Sequence, residues 1–422
     1  MDVPSILRNE AECLGTISPR YPQTSLSDSE ITSALQKPVW PDGSARTIWN
    51  VAQGRRDICF VVSDATRRTA VNRILPLVLR GLRERGCSMD RIHIVVATGI
   101  HRAPTADEIE MILGHDVARE LRGRITPHDP DDESALAHAG ETRRGCKVRL
   151  NRRAMESDCL IVFGAVSYHY HAGFGGGRKS IVPGLAARDT IALNHSLALD
   201  HEKNSFRRGV QIGRLDGNPV SEEMLEGAML RRPDIIVNTV VSPDGRLVGV
   251  ASGHLDAAHR AACAMLERCA RADISEPADL VLATAPGARD WIQAHKALLN
   301  AARAAGPDGL VALWAPCPEG LGNERFRMWA RMRDIPEMFR LLKKSPEVNG
   351  QTAVSTRLHA PRTVLVTRMP ARDIEDLGIE TQPDMESAIR SALRRTAASG
   401  RKRPRYYLMP DAGHVTPFIS QS

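Results

Sequence analysis

Aromatic residues make up only 4% of this 422-residue chain, which argues against a surface that stacks single-stranded nucleic acid. Basic helices with interleaved aromatics are missing as well. The net charge of +7 and pI near 9.1 therefore fit an anionic small substrate or cofactor, or simply an arginine-rich composition, better than a nucleic-acid partner. No apolar run approaches the roughly 20 residues needed to span a bilayer, so no membrane association is expected. The opening Met-Asp-Val-Pro-Ser has neither a basic n-region nor an apolar h-region, and no secretory leader is expected from it. The eight cysteines include no Cys-x-x-Cys pair. Scattered thiols of this kind suit a reducing, cytoplasmic setting.

The densest chemistry lies between Ser167 and His195, which holds His169, His171, Gly175, Gly176, Gly177, Arg178, Lys179 and Asn194-His195. Three successive glycines can turn their backbone N–H groups toward one anion. Arg178 offers a fork for oxyanions, and Lys179 an amine that becomes nucleophilic when desolvated. His169 and His195 can act as bases near neutral pH or as ligands for nickel, copper or zinc. Two standard phosphate fingerprints are absent from this stretch. No Gly-Lys-Ser/Thr ends it, because Arg178 intervenes, and no Gly-x-Gly-x-x-Gly opens a helix. The residues alone give an anion site with histidines and no named reaction.

The rest of the chain supplies a setting for that stretch. Residues 1 to about 50 are rich in Pro, Ser and Thr and read as a loose lead-in with a short helix after Ser27-Asp28. Apolar runs at Ile58–Val62, Ile92–Ala97 and Cys159–Phe163 have the length and bounds of buried strands. They are followed by Ser63-Asp64-Ala65-Thr66-Arg67, by Thr98-Gly99-Ile100-His101, and by the dense stretch itself. Side chains that follow parallel strands converge on one crevice in open α/β sheets, although Asp64 could instead cap the helix predicted over 69–85. His115, His128 and His138 fall in a polar region and read as solvated. Further on, 235–241 and 246–251 read as a hairpin around Pro243 to Gly245. Ser275-Glu276-Pro277 marks a break, after which strand and helix alternate again. The division expected is an N-terminal α/β domain over 1–274, a C-terminal α/β domain over 275–405 closed by the basic run Arg401-Lys402-Arg403, and a tail, 406–422, that could return to the first domain.

His-Tyr-His-Ala-Gly-Phe-Gly-Gly-Gly-Arg-Lys-Ser-Ile-Val-Pro-Gly followed by Asn-His resembles the central motif of the nickel-dependent lactate racemase family. Ser63-Asp64-Ala65-Thr66-Arg67 and Ala97-Thr98-Gly99-Ile100-His101-Arg102 resemble two further motifs of that family, in its order. Gln293 and Lys296, three apart on a predicted helix, are similar to its substrate-binding pair. The resemblance implies an isomerase: a racemase or epimerase of a 2-hydroxy acid. It also implies two α/β domains with largely parallel sheets and an active-site cleft between them. The cofactor implied is a nickel-pincer nucleotide, Ni-pyridinium-3,5-bisthiocarboxylate mononucleotide, covalently attached at Lys179 and supplied by cofactor-biosynthesis proteins. His195 would ligate nickel, and His101 and His169 would be the two catalytic bases. Asp64, Ala65, Thr66, Arg67 and the three glycines would bind the cofactor, while Gln293 and Lys296 would hold the small anionic substrate.

Removing the Cα proton beside a carboxylate is difficult, so the route implied is reversible proton-coupled hydride transfer, with one base for each enantiomer's hydroxyl. Arg68 stands where many relatives have proline, and His171 adds an imidazole. The expected substrate class is accordingly 2-hydroxy acids at large, including bulkier ones, and not lactate alone. Two other classes compete: a nucleotide-dependent oxidoreductase, which bound NAD or a nucleotide triphosphate would reveal, and a cofactor-free binding protein of the same fold. Retention of every matched site residue counts against the latter.

Overall fold

The computed structural model describes Leu7, residues 10–398, Gly400 and residues 403–420. Its contacts divide the chain into two compact units. The first comprises Tyr21–Ala198 and Phe206–Arg268; the second comprises Met1–Arg20, Leu199–Ser205 and Cys269–Ser422. Among the described residues no helix is long and apolar enough to cross a membrane.

The first unit is built on a six-stranded sheet in the order Leu247–Gly253, Ile235–Val241, Cys159–Ala165, Ile58–Ser63, Ile92–Ala97, Ile125–Pro127. All neighbours run parallel except the hairpin of Ile235–Val241 with Leu247–Gly253. The apolar runs read from the sequence are the middle of this sheet. Strands covered on both faces have no polar side to show, and Ile58, Cys59, Phe60, Val61 and Val62 are all fully buried. Phe60 and Phe163 on adjacent strands meet edge to face with ring centroids 5.4 Å apart, a contact worth about 1 kcal/mol beyond its area. Ser63 pairs with Ala97, and Val61 with Val162. The segments that leave these three strands therefore start from one edge of the sheet.

The second unit carries another six-stranded sheet, all of its pairs parallel, in the order Glu12–Thr16, Arg405–Met409, Leu280–Thr284, Leu310–Trp314, Thr363–Val366, Glu380–Thr381. The fold class is thus α/β with largely parallel sheets, as the strand runs suggested. One expectation is corrected here. The lead-in is not loose throughout: Glu12–Thr16 is an edge strand, and Glu12 pairs with Arg405. The tail pairs with both ends of the 1–274 segment: Arg405–Met409 lies beside Glu12–Thr16 as well as Leu280–Thr284, and Thr416–Ile419 pairs with Arg271–Ile274. None of these pairings has a local signal, since each joins residues far apart in the chain. Arg401 and Lys402 of the basic run lie outside the described residues.

The short helix after Ser27 is present as Asp28–Leu35, fixed by a capping box in which Ser27 and Glu30 satisfy each other's backbone N–H groups. Trp291–Ala305 is the first long helix of the second unit. Asp290 caps it by accepting from the Gln293 N–H at 2.9 Å, and its alanines at 294, 297, 301 and 304 are buried.

Candidate active site

Asp64 stands one residue past the end of Ile58–Ser63 and is 4% exposed. It does not cap the following helix, which begins at Val71 behind Ala70 in the left-handed region. Its carboxylate instead organises the turn. Oδ1 accepts from the Thr66 N–H at 3.1 Å and the Thr66 hydroxyl at 2.6 Å, and Oδ2 lies 2.6 Å from His101 Nδ1. Ala65 packs against the sheet core, and Arg67 is exposed. Burial pushes the Asp64 carboxyl up. The hydrogen bond and charge of His101, the Thr66 hydroxyl and the Arg67 charge outweigh it and leave the group below its ordinary value.

A carboxylate can only accept, so His101 presents Nδ1–H to Asp64 and keeps the Nε2 lone pair for another partner. The loop that delivers His101 is anchored at its base. The Thr98 hydroxyl donates to the His128 carbonyl at 2.6 Å, and the Gly99 N–H donates to the Gly184 carbonyl at 3.1 Å. His128, expected to be solvated, is buried, with Nε2 3.0 Å from the Ala186 carbonyl. It sits there because its backbone extends the sheet edge, its N–H bonding the Val96 carbonyl.

His169 is held the opposite way round. Its Nδ1 accepts from the backbone N–H groups of His171 at 3.2 Å and Ala172 at 3.1 Å, while Nε2 lies 2.8 Å from Lys179 Nζ. Tyr170 stacks on the ring with centroids 5.1 Å apart. Burial, then the charges of Lys179, His171, His195 and Arg67, holds the imidazole well below its ordinary range.

His195 is 5% exposed on the helix Arg188–Ser196. Its Nδ1–H donates to the Ile191 carbonyl at 2.9 Å, one turn back, which leaves Nε2 as the lone-pair nitrogen. Burial first, then the Lys179 charge, lowers it to about 4.

The glycine triplet is tied into the fold by its own backbone. The Gly175 N–H donates to the Ser167 carbonyl at 2.7 Å and the Gly177 N–H to Asn238 Oδ1 at 2.8 Å. Two of the three donors assigned to an anion cradle are therefore already engaged. Gly177 has φ +49°, and a Cβ there would lie 2.6 Å from the His259 ring. Arg178 is likewise an internal strut and not an oxyanion fork: it is 3% exposed, ion-paired with Asp256, and donates to the Ser221 hydroxyl at 3.3 Å. Asn238, His259 and Asp256 are the residues that sequence reasoning missed. Only Asn238 carried a signal, a buried amide in the apolar run Ile-Ile-Val-Asn-Thr-Val-Val.

Asp64, Ala65, Thr66, Arg67, His101, His169, Gly175, Gly176, Gly177, Lys179 and His195 thus all belong to the first unit. Gln293 and Lys296 belong to the second, both on the exposed face of Trp291–Ala305, with Gln293 Nε2 3.1 Å from Asp290 Oδ2.

These features define an α/β protein whose sheet edge presents two imidazoles of opposite tautomer, a lysine hydrogen-bonded to one of them, and a third imidazole buried nearby in sequence. Residues 5–206 match the lactate racemase N-terminal domain. The chain is 30% identical over 308 residues to the lactate racemase of Lactiplantibacillus plantarum, covering 71% of this chain and 69% of that one. It is 28% identical over 319 residues to the lactate racemase of Thermoanaerobacterium thermosaccharolyticum, covering 75% and 72%. In fold it resembles the lactate racemase apoprotein of the latter organism, with a TM-score of 0.85 at 22% identity over 99% of this chain and 97% of that one. A Thermotoga maritima protein is more distant, at TM-score 0.66 and 18% identity over 94% and 99%. The chain belongs to the lactate racemase family.

Two histidines outside the reacting groups add to the response to acid. His259 and His295 are fully buried, and burial lowers them to about 4 and about 3. Unfolding raises both toward an ordinary value of about 6.5, so the unfolded chain binds more protons below that pH. Stability is expected to be flat above about pH 6.5 and to fall as pH drops toward 4. Each ring contributes a loss of about 2 kcal/mol by pH 5 and about 3 kcal/mol by pH 4. Urea midpoints across this range check it; a flat profile from pH 7 to 4.5 would contradict it.

Proposed function

We propose that this chain is a racemase or epimerase of a 2-hydroxy acid that works by reversible proton-coupled hydride transfer with a nickel-pincer nucleotide. The observation that carries the reading is a pair of fixed imidazoles on segments that leave the same end of the parallel sheet, His101 held by Asp64 and His169 by two backbone N–H groups. The family membership supports it, as do the names of the two lactate racemases.

The residues present fit the cofactor. His195 is neutral, buried and turned so that Nε2 keeps its lone pair, the state in which imidazole ligates nickel. Among the described residues no group of three or more His, Cys, Asp or Glu side chains is arranged to hold a metal, so nickel here would need donors from the nucleotide as well as His195. Lys179 would carry the covalent link, and Asp64 to Arg67 with the glycine loop would line the nucleotide. When bound, the group would supply an electrophilic carbon that accepts and returns the Cα hydride.

The protein's own part is proton transfer and orientation. His101 takes the hydroxyl proton at Nε2, and Asp64 at 2.6 Å stabilises the imidazolium that results. His169 would be the second proton-transfer group, through Nε2 once Lys179 is taken up in the covalent link, so that each enantiomer's hydroxyl has its own imidazole. Arg67 is exposed and its charge acts on both Asp64 and His169, a position suited to the substrate carboxylate. Gln293 and Lys296 are proposed as further substrate-binding residues.

The test is nickel content and intact mass of protein made with a pincer-cofactor pathway present. About one nickel per chain and a mass increase mapped to Lys179 are expected. Absence of both from a loaded preparation would remove the reading.

A further inference from the structure

The hydrogen bonds around His169 assign a protonation state to its neighbour. Nδ1 receives two backbone N–H groups, at 3.1 and 3.2 Å. A proton on that nitrogen would face two donors. The one proton of the neutral ring is then on Nε2, pointing at Lys179 Nζ 2.8 Å away. An ammonium has three donors and no acceptor, so it cannot take part in that hydrogen bond; an amine with a lone pair can. We infer that His169 holds Lys179 as a neutral amine, a primed nucleophile for an electrophilic carbonyl-type carbon, and that His169 is therefore a positioning residue for covalent attachment as well as a proton-transfer group.

The surroundings agree with this assignment. The other groups around His169, namely His171, His195 and Arg67, are all cationic when charged, and an ammonium added beside them at Lys179 is disfavoured. Lys179 is half-buried on the short turn Gly177–Ser180. That turn is fixed by Asn238 on the Gly177 N–H and by Asp256 on Arg178, so Nζ starts from a rigid base. The inference stands on these contacts and deepens the cofactor reading without depending on nickel.

The experiment uses full-length protein made without the cofactor pathway, so that its outcome is independent of metal loading. Sub-stoichiometric formaldehyde with cyanoborohydride at pH 7 methylates reactive amines. The Nζ lone pair forms the N–C bond, the aldehyde oxygen leaves as water with the amine protons, and hydride from the borohydride reduces the imine. An ordinary lysine is neutral about once in a few thousand molecules at pH 7. Peptide mass spectrometry should find Lys179 labelled at least about tenfold faster than the exposed Lys37, Lys203 and Lys343, and His169→Phe should abolish that excess. Labelling of Lys179 no faster than the exposed lysines, or unchanged in the variant, overturns the inference. Should His169→Phe fail to fold, the ¹⁵N correlation pattern of His169 in the unaltered protein decides: an Nε2–H tautomer supports it and an Nδ1–H tautomer overturns it.

Discussion

His101→Ala is expected to lower kcat by about 10²–10⁴-fold in both directions of racemisation. The ring is the group whose Nε2 is left to accept a proton, because Asp64 fixes Nδ1–H at 2.6 Å. The side chain of His101 is 42% exposed, so its loss opens no core cavity and thermal unfolding should move little. Asp64→Asn separates orientation from chemistry. Its amide oxygen can still take the Thr66 hydroxyl and N–H, but its NH₂ then faces His101 Nδ1, and the ring must turn its proton to Nε2. The base is lost although the imidazole remains, and a fall in kcat approaching that of His101→Ala is expected with KM nearly unchanged. The depressed carboxyl of Asp64 gives a second readout. Its contribution to stability is present above the ordinary aspartate pKa and disappears as pH falls through the lowered value, so Asp64→Asn should cost stability at pH 7 and little in strong acid. Full racemisation by either variant would sink the assignment of His101 as a base.

His195→Ala should separate metal from covalent link. The variant is expected to retain the added mass on Lys179 while its nickel content drops at least about tenfold, with racemisation lost in proportion to the metal. The residue is suited to this test because, among the described residues, its hydrogen bond runs within its own helix, from Nδ1 to the Ile191 carbonyl. Removing the ring leaves that carbonyl in its helical setting. Metal analysis and intact mass on one preparation decide it; nickel that stays with the variant would mean that another side chain is the ligand.

What the sequence disclosed was whatever local chemistry writes down. Five-residue apolar runs such as Ile58–Val62 announce buried strands, and Ser27 with Glu30 announces a helix start, so those elements were legible. The side chains that follow strands were legible as candidates for the same reason: Asp64 and His101 follow the ends of two parallel strands paired in register. Which nitrogen each histidine presents was not legible, because it depends on partners the chain brings together only on folding, a carboxylate for His101 and two backbone N–H groups for His169. The hydrogen bonds of the glycines were hidden for the same reason. A Gly-Gly-Gly run reads as available N–H donors until Asn238, 61 residues later in the chain, is seen to take one of them. His128 misled through its polar neighbours, whereas its own backbone belongs to the sheet edge.

The pairing of Glu12–Thr16 with Arg405–Met409 sets an order on biogenesis. During synthesis at about 5–20 residues per second, the first of these strands emerges roughly 20 to 80 seconds before its partner exists. Well before that interval ends, Tyr21–Ala198 and Phe206–Arg268 have supplied every strand of their own six-stranded sheet, which can close on the ribosome. The second unit cannot, since Arg405–Met409 is the strand that joins Glu12–Thr16 to Leu280–Thr284. Nascent chains stalled or cut short before that point should therefore carry one finished unit and one with open β-edges, and it is the unfinished one that chaperones would have to shield.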